Sequence, residues 1–311
     1  MATETTTESL GTNQDLKATL ACTVGIMAYN EGANIGRLLD ALLNQQLSDC
    51  AIREIIVVSS GSTDITEDVV REFAARDPRI KLLVQPHREG KASAVNLFLR
   101  QAQSDILVLE SADTLPGPTT IQRLLEPFRD PEVGMTGGHP IPVNDSSTFL
   151  GFAAHLLWGL HHQVALTHPK LGELIAFRWI FQRIPYSSAV DEANIEPLVF
   201  GQDYQLRYVP DAVVYNRGPE TVSDFLKQRR RIYAGHLRLK HEQGYVVATM
   251  SGLRILTAFL HCLRWDPRWC LWTLPVIALE IYGRFLGYLD YHYKRRDHAI
   301  WDIAVTTKRT L

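Results

Sequence analysis

The sequence predicts an α/β fold, in which a mixed, mostly parallel sheet is flanked by helices and followed by an apolar or amphipathic helical region. One observation behind this prediction is that short apolar runs alternate with amphipathic segments from residue 22 to about residue 140. Such alternation is typical of a parallel sheet with helices on both faces. The other observation is the aromatic and apolar composition from Gly252 to Tyr293, which predicts further helices.

The first half of the chain repeats a strand and a helix. The predicted strands are residues 22–29, 54–58, 80–85 and 105–110, and the helices are residues 30–45, 65–76 and 92–103. In the first helix, Ile35, Leu38 and Leu42 have the spacing of one helical face. Ligands of such sheets bind beyond the carboxyl ends of the strands, so the functional edge is predicted there.

Beyond residue 133 the alternation ends and longer elements follow. Residues 147–167 form a predicted helix that is apolar around most of its circumference. Further predicted strands are residues 133–143, 173–178 and 198–217, and a basic helix covers residues 221–240. This half therefore differs in architecture from the first.

The composition excludes some classes of protein. A formal net charge of −2 gives no basic field, so we expect no nucleic-acid partner. The four cysteines stand singly, which favours a reduced compartment and indicates neither a disulfide framework nor a zinc site. The first 16 residues lack a basic start and an apolar run, and we interpret them as a tail rather than a signal peptide.

Four polar phrases stand at the predicted functional edge. They read "YNE" at 29–31, "SSGSTD" at 59–64, "GKASAVN" at 90–96 and "SAD" at 111–113. Each alone is also what an ordinary strand-to-helix turn would show, because Asn, Ser and Asp favour helix starts and glycine permits positive φ. Their order and spacing across one sheet are the stronger indication.

In this order the phrases resemble those of glycosyltransferase family 2, a group with the GT-A nucleotide-binding fold, over roughly residues 20–220. The resemblance implies inverting transfer of a sugar from a nucleotide-sugar donor to a hydroxyl acceptor by a single metal-assisted displacement. We expect a flexible tail over 1–19, a glycosyltransferase domain over 20–245 and a membrane-associating helical region over 246–311. Within the domain, the donor half would end near residue 140 and the acceptor half would follow from about 141.

The resemblance also implies a donor pocket. Lys91 would lie near the donor diphosphate, and the other implied residues are Ala28, Tyr29, Asn30, Glu31, Ser60, Asp64, Ser111, Ala112, Gln228, Arg229 and Arg231. Where the family usually has an acid that bonds a uracil imide, this chain has Ser59 or Ser60. A serine is less selective for the base, so a UDP-sugar is favoured as donor and a GDP-sugar stays open.

A divalent cation, Mg²⁺ or Mn²⁺, is implied by the family's acid-x-acid turn. Here the first acid of that turn is replaced by Ser111, and Asp113 is the predicted metal ligand. One carboxylate can suffice, because phosphate oxygens and water are also hard oxygen ligands. Glu110 should point to the opposite face of the strand and is predicted to be structural.

Asp191 and Glu192 are adjacent acids in "AVDEANIEPL". Acids at this point can simply start a helix, where the helix dipole favours them. In the resembling enzymes an acid pair here supplies the general base that takes the proton of the acceptor hydroxyl. Counting back from Ile195 favours Glu192 as the base, and Asp191 stays open.

The phrase "QRRRIY" covers residues 228–233. Three consecutive arginines on a helix usually form a solvated or lipid-facing surface. The resemblance instead matches Gln228, Arg229 and Arg231 to a phrase that closes over the donor diphosphate, and arginine suits this because its planar fork binds phosphate oxygens in pairs. The family's tryptophan is Ile232 here, which argues for a single transfer rather than polymer synthesis.

Two apolar stretches, residues 253–263 and 269–289, raise the question of a membrane. Tryptophan, tyrosine and basic residues at their ends favour a helical pair lying at the cytoplasmic face of the cell membrane. A spanning helix or hairpin and a soluble cap or oligomer interface stay open. The acceptor is expected to be lipid-linked or a growing surface glycan.

Two other classes of protein compete with this reading. A catalytically inactive sugar-nucleotide-binding or membrane scaffold protein is the main alternative, because Ser59 and Ser111 stand where acids are expected. A nucleotidyltransferase is the lesser one, since "YNEGANIGR" poorly matches the Gly- and Arg-rich first loop it would need.

Overall fold

The computed structural model of the protein describes residues 19–186, 190–293 and 305–308, so the predicted tail lies outside the described residues except for its last position. The strands are β1 Leu20–Ala28, β2 Cys50–Ser60, β3 Ile80–Gln85, β4 Ile106–Ser111, β5 Thr114–Pro116, β6 Val133–Pro142, β7 Leu174–Arg178 and β8 Gln205–Asn216. The α-helices are α1 Ile35–Leu43, α2 Thr66–Arg76, α3 Lys91–Gln101, α4 Thr120–Leu125, α5 Phe149–Thr167, α6 Asp191–Phe200, α7 Val222–Gln243, α8 Gly252–Cys262 and α9 Pro267–Tyr293. Short 3-10 helices cover Glu126–Arg129, Ala248–Met250 and Val305–Lys308.

One mixed sheet organises these elements in the order β3-β2-β1-β4-β7-β6-β8-β5. Strands β3, β2, β1 and β4 are parallel, as are β6 and β8, whereas β7 and β5 run antiparallel to their neighbours. The predicted mixed, mostly parallel sheet is therefore confirmed. The strand order reverses between β1 and β4, which is where such sheets form their ligand crevice.

Each face of the parallel half is covered by helices. Ile35, Leu38 and Leu39 of α1 are fully buried against one face, and Phe98 of α3 is fully buried against the other. Gly25 permits the second contact, because a Cβ there would lie 2.7 Å from the Phe98 ring. Buried apolar surface on both faces fixes the positions of the strand ends.

The structure corrects part of the predicted second half. Residues 198–200 were expected to begin a strand, but they are the last turn of α6, which starts at Asp191. Strand β8 begins only at Gln205, after the turn around Gly201. The apolar run Leu198–Phe200 is therefore helical. Because α6 begins at Asp191, the acid pair does start a helix, which was one of its two interpretations.

The helices α5, α8 and α9 form a separate apolar cluster. Leu156 and Leu160 of α5, Ala258 of α8 and Val276 of α9 are buried in it. Among the described helices, α9 is the one whose length and composition would allow it to cross a membrane, and 22% of its apolar window is buried. Large apolar side chains stay exposed on the outer surface of α8, α9 and their connection, a surface that we call the apolar face: Leu253, Leu256, Leu260, Trp265, Leu271, Leu274, Ile281 and Phe285.

Helix α9 crosses α7 at close range. A Cβ at Gly283 would lie 2.8 Å from the Cβ of Arg229, and one at Gly287 would lie 2.6 Å from the carbonyl oxygen of Arg230. Two ion pairs cross the same contact, Arg229 with Glu280 and Arg230 with Asp290. The apolar face is therefore held firmly to the helix that carries the Gln-Arg phrase.

Candidate active site

A cavity of about 820 Å³ opens at the carboxyl ends of β1, β2 and β4. Its walls also come from α5, α7, α8, α9 and the segment 305–308. Most of the predicted site residues line it: Ala28, Tyr29, Glu31, Ser60, Lys91, Ser111, Ala112, Asp113, Glu192, Gln228, Arg229 and Arg231. The fold thus brings together phrases that are up to about 200 residues apart in the chain.

Tyr29 and Glu31 enter the cavity from the loop after β1. The carbonyl of Glu31 accepts hydrogen bonds from the amides of Asn34 and Ile35, both at 2.9 Å, and so begins α1. The Glu31 side chain is buried, and its Oε1 lies 2.6 Å from Nζ of Lys308. Burial, and then the charge of Asp113, raise the pKa of Glu31 to about 7 against the opposing effect of Lys308.

Asn30 and Asp64 lie beside the cavity rather than in its wall. Asn30 Oδ1 accepts a hydrogen bond from the amide of Thr63 at 2.8 Å, which ties the first two strand-end loops together. The carboxylate of Asp64 accepts from the amides of Gly32 and Thr66, both at 3.0 Å. Burial would raise the pKa of Asp64, but the hydrogen bond from the Thr66 hydroxyl, and then those from the two amides, outweigh it and lower the pKa. The polar atoms of both residues are thus engaged in holding the loops.

The two serines that end β2 differ in what they contact. Ser59 is buried, and its hydroxyl contacts the Ser62 hydroxyl and Glu67 Oε1, each at 3.0 Å. Ser60 lines the cavity, and its hydroxyl accepts from the amide of Glu89 at 3.3 Å. Ser60 is therefore the serine that a bound nucleotide could reach.

The carboxylates of Asp113 and Glu173 lie beside the end of β4, where the charge of a third, that of Glu192, also reaches Glu173. Asp113 is half-buried in the turn between β4 and β5. Glu173 also lines the cavity, just before β7, and it has a left-handed backbone with φ 60°. Burial, and then the charges of Asp113 and Glu192, raise the pKa of Glu173 to about 7. Sequence reasoning missed Glu173 because no recognisable motif surrounds it. A left-handed backbone is also uncommon for glutamate, so the sequence gives no sign of this conformation.

Glu110 turns away from this cluster, as predicted from strand alternation. It is buried, and its Oε1 accepts a hydrogen bond from the Thr114 hydroxyl at 3.2 Å. Its Oε2 is buried without a hydrogen-bond partner among the described residues. Burial raises the pKa of Glu110 to about 8.

Lys91 and Glu192 form an ion pair across the cavity, with 2.9 Å between Nζ and Oε1. Burial would raise the pKa of Glu192, but the charge and hydrogen bond of Lys91 outweigh it and lower the pKa to about 2. Asp191 is the first residue of α6, and its side chain lies outside the described part of the structure.

The Gln-Arg phrase lies on α7 with Gln228, Arg229, Arg231 and Ile232 in the wall of the cavity. Arg229 is bound by both oxygens of Glu280, at 2.6 and 2.7 Å. The guanidinium of Arg229 is therefore directed to Glu280 on α9. To contact a donor diphosphate, as predicted, Arg229 would have to share its N–H donors between Glu280 and the diphosphate.

Apolar side chains predominate where α5, α8 and α9 line the cavity, and they are Leu156, Leu160, Phe259, Val276 and Ile281. His161, Glu280 and Arg284 are the polar lining residues of the same helices. Leu256 and Ile281 also belong to the apolar face, so the apolar end of the cavity borders that surface. Sequence reasoning also missed several cationic lining residues, among them Arg88, Lys170 and Lys308.

A charged cavity at the switch point of a mixed sheet is where proteins of this architecture bind their ligands. The family model described as Glycosyl transferase family 2 matches residues 23–188, and Glycosyl transferase family group 2 matches residues 106–283. The chain belongs to glycosyltransferase family 2.

Named relatives share part of this chain. An N-acetylglucosaminyltransferase of Rhizobium meliloti (strain 1021) is 25% identical over 198 residues, which are 57% of this chain and 46% of that protein. A poly-beta-1,6-N-acetyl-D-glucosamine synthase of Staphylococcus aureus (strain COL) is 26% identical over 219 residues, 66% of this chain and 52% of that protein. The chain spans about half the length of these curated relatives.

Solved structures share the fold. The mannosyltransferase PcManGT from Pyrobaculum calidifontis, in complex with GDP-Man and Mn²⁺, has a TM-score of 0.63 at 20% identity and covers 91% of this chain and 90% of its own. Glucosyl-3-phosphoglycerate synthase from Mycobacterium tuberculosis, with Mn²⁺ and UDP-glucose, has a TM-score of 0.52 at 20% identity, covering 74% and 81%. The GT-A fold predicted from the strand-end phrases is therefore confirmed.

Proposed function

We propose that the protein transfers a sugar, with inversion, from a nucleotide-sugar donor to a hydroxyl of a lipid-linked acceptor. The observation that carries this proposal is the continuity of the cavity. At one end it contains Asp113, Lys91 and Glu192, and at the other it is lined by apolar side chains that border the apolar face. An acceptor with a polar head and a hydrocarbon tail fits both ends.

The donor occupies the polar end in this proposal. Tyr29 and Ser60 contact the nucleoside, and Lys91 and Arg231 contact the diphosphate. The structures in complex with GDP-Man and with UDP-glucose support a nucleotide-sugar donor for this fold. UDP is favoured and GDP stays open, because the Ser60 hydroxyl is not specific to one base.

The residues present fit a divalent cation, Mg²⁺ or Mn²⁺. Asp113 lies close enough to Glu31 and Glu173 for its charge to raise the pKa of both, so negative charge is concentrated at the strand ends. Among the described residues there is no group of three or more His, Cys, Asp and Glu side chains that could hold a metal ion by itself. Asp113 would therefore share the cation with donor phosphate oxygens, and the bound cation would supply charge neutralisation for the departing diphosphate.

The chemical step is a single displacement at the anomeric carbon. Glu192, or Asp191 beside it, takes the proton of the acceptor hydroxyl while the hydroxyl oxygen bonds to that carbon. The bond from the carbon to the donor phosphate oxygen breaks, and the nucleoside diphosphate leaves on the opposite face. Attack from the face opposite the leaving group inverts the configuration.

We further propose one transfer per acceptor rather than processive polymerisation. Ile232 stands where the resembling polymerases have a tryptophan that stacks on the acceptor sugar, and an aliphatic side chain offers no such platform. The match covers only about half of the curated relative that is named for a polymer product, so that product is not carried over. Long polymers from the purified protein would contradict this part.

In this proposal residues 20–245 carry most of the chemistry, and the helices beyond them lie at the cytoplasmic face of the cell membrane. The apolar face has Trp265 almost fully exposed at its end, and Arg254, Arg264 and Arg268 in the same stretch. This mixture is usual for helices that lie in a membrane interface.

Calorimetric titration tests the donor site. Wild type, Asp113→Asn and the matched control Asp40→Asn, at an exposed position on α1, are titrated with UDP, GDP and their sugars, with and without Mn²⁺. We expect metal-dependent binding that Asp113→Asn loses by 10-fold or more and that Asp40→Asn retains within about threefold. Folded wild-type protein that binds no nucleotide would contradict the proposal.

A product assay tests the acceptor. Nucleoside diphosphate release is measured with a detergent-solubilised polyprenol or diacylglycerol, and in parallel with a soluble oligosaccharide. We expect release to depend on the lipid acceptor, and Phe259→Ser to raise its KM without changing nucleotide affinity. Nucleotide binding without release under any of these conditions would favour the inactive scaffold instead.

A further inference from the structure

Residues 305–308 form a short 3-10 segment that we call the strap, and it lies against the polar end of the cavity. The Lys308 ammonium is 2.6 Å from Glu31 Oε1, and it also donates to the carbonyl oxygen of Tyr29. The carbonyl of Lys308 in turn accepts from Asn34 Nδ2 at 3.0 Å. The strap is thus attached to the loop between β1 and α1.

A second attachment holds the strap to the start of α7. The Thr306 hydroxyl donates to Asp224 Oδ2 at 2.9 Å, and the Thr306 amide donates to the same oxygen at 3.2 Å. The Thr306 hydroxyl also accepts from the amide of Glu220 at 3.1 Å. Asp224 lies one turn before Gln228, so the strap connects the two parts of the fold that were assigned to the donor.

The strap also contributes to the surface that a ligand would touch. Thr307 and Lys308 both line the cavity, and the Lys308 side chain keeps 22% of its surface exposed, whereas that of Glu31 keeps 6%. Its Nζ lies 5.4 Å from the centre of the Tyr29 ring, and Arg88 covers the same ring at 4.3 Å. Two cations therefore flank the aromatic side chain assigned to the nucleoside.

We propose that Lys308 is a donor-binding residue, whose ammonium group contacts an oxygen of the nucleotide and is held in place by the strap. An ammonium has three N–H donors. Glu31 and the Tyr29 carbonyl take two of them, and the third makes a long contact of 3.4 Å with the carbonyl oxygen of Asn30. A carbonyl, hydroxyl or phosphate oxygen of a ligand next to Tyr29 would replace that long contact. This inference rests on the proposed nucleotide site and adds to it a residue 279 positions from Tyr29.

The first experiment compares Lys308→Met, Lys308→Arg and the control Lys240→Met, an exposed lysine near the end of α7. UDP and GDP are titrated in the presence of Mn²⁺, and thermal unfolding is followed for each protein. We expect Lys308→Met to weaken binding about 10- to 100-fold, Lys308→Arg to retain it within about fivefold, and Lys240→Met to leave it unchanged.

Two further variants separate a ligand contact from an indirect effect. The double variant Glu31→Gln with Lys308→Met removes both charges of the buried pair, so it keeps the fold without an uncompensated carboxylate. We expect its affinity to stay low. Thr306→Val loosens the attachment at Asp224 and should weaken binding about 3- to 10-fold while Lys308 is still present.

The outcomes distinguish this inference from the proposed function. Wild-type binding that Asp113→Asn abolishes but Lys308→Met does not change would overturn the role of Lys308 alone. Full affinity in the double variant would show that Lys308 only neutralises Glu31. Tighter nucleotide binding by Lys308→Met would show that the strap blocks the site, which would also overturn the inference. Absence of nucleotide binding by wild type would overturn both proposals.

Discussion

Lys91 Nζ and Glu192 Oε1 lie 2.9 Å apart, although the two residues are separated by 101 positions in the chain. The pair lowers the pKa of Glu192 to about 2, and a carboxylate with so low a pKa is a weak base near neutral pH. Lys91 is also the residue assigned to the donor diphosphate. In the mechanism proposed above, donor binding would draw Lys91 toward phosphate, and the pKa of Glu192 would rise as that pairing weakens.

Glu192→Gln should lower kcat by about 10²- to 10⁴-fold, because the proton of the acceptor hydroxyl loses its acceptor. Nucleotide affinity should change by less than about threefold, since the glutamine keeps the size of the side chain. Asp191→Asn is the matched variant, and we expect it to affect kcat much less. Initial rates of nucleoside diphosphate release measure both. A severe loss in Asp191→Asn with near-normal Glu192→Gln would assign the base to Asp191.

Glu110 predicts a dependence of stability on pH. Burial raises the pKa of Glu110 to about 8 in the folded state, whereas in the unfolded chain the pKa returns to its ordinary value of 4.5. The unfolded state therefore binds fewer protons between these values, and the free energy of unfolding falls as pH rises through the window. For this one group the fall is at most about 5 kcal/mol.

Glu110→Gln should remove that contribution, so its free energy of unfolding relative to wild type should rise between pH 5 and pH 8. Denaturant unfolding at the two pH values measures it. Glu72→Gln, at an exposed position on α2, is the control and should follow wild type. Parallel behaviour of Glu110→Gln and wild type would mean that Glu110 is ionised in the folded protein.

The apolar face should bind lipid bilayers. Leu271 and Leu274 are 70% and 72% exposed, and replacing both with serine should weaken partition to vesicles about 10-fold or more, because each loses on the order of 1–2 kcal/mol of apolar burial. Phe200→Ser, at an exposed position at the end of α6, is the control. Vesicle sedimentation measures the change.

The same preparation distinguishes the alternatives for α8 and α9. Release from membranes by alkaline carbonate is expected of an interfacial pair, and retention would indicate a spanning helix. A defined soluble oligomer that the double serine variant disrupts would instead make this surface an interface between copies of the chain.

Arg230 and Asp290 form an ion pair in which the Asp290 side chain is fully buried. Asp290→Asn removes the negative charge of this ion pair at a buried position, so we expect a loss of about 3–5 kcal/mol in the free energy of unfolding. Arg71→Gln removes a surface pair with Glu67 and should cost less than about 1 kcal/mol. Chemical denaturation compares them. Equal, small losses would show that the contact between α7 and α9 contributes little to stability.

The donor half could be predicted from the sequence because its signals are local. Each strand is a short apolar run that ends in a polar phrase, and parallel strands bring those phrases to one edge without further information. This pattern predicts Glu31 and Asp113 at the functional edge of the sheet, and the family resemblance implied their roles toward the donor and the metal. The same pattern wrongly predicted a strand at Leu198–Phe200, because a short apolar run is compatible with a buried strand and with the last turn of a helix.

The rest of the site depends on contacts between distant parts of the chain. The Arg229 fork binds Glu280, and a motif does not say which acid an arginine will meet. Glu173 owes its place to a left-handed backbone, and Lys308 reaches the cavity only through the fastening of Thr306 to Asp224. No periodicity or residue spacing in the sequence predicts any of these contacts.

The bond between residue 31 and residue 308 has a consequence for biosynthesis. A ribosome delivers the sheet before the strap, so in the proposed site a nascent chain holds an incomplete donor pocket until residue 308 has emerged. Helices α8 and α9 are released before that moment, and their apolar face can find a bilayer while the cavity is still unfinished. The order of translation would then let the protein reach the membrane before it can bind a sugar nucleotide.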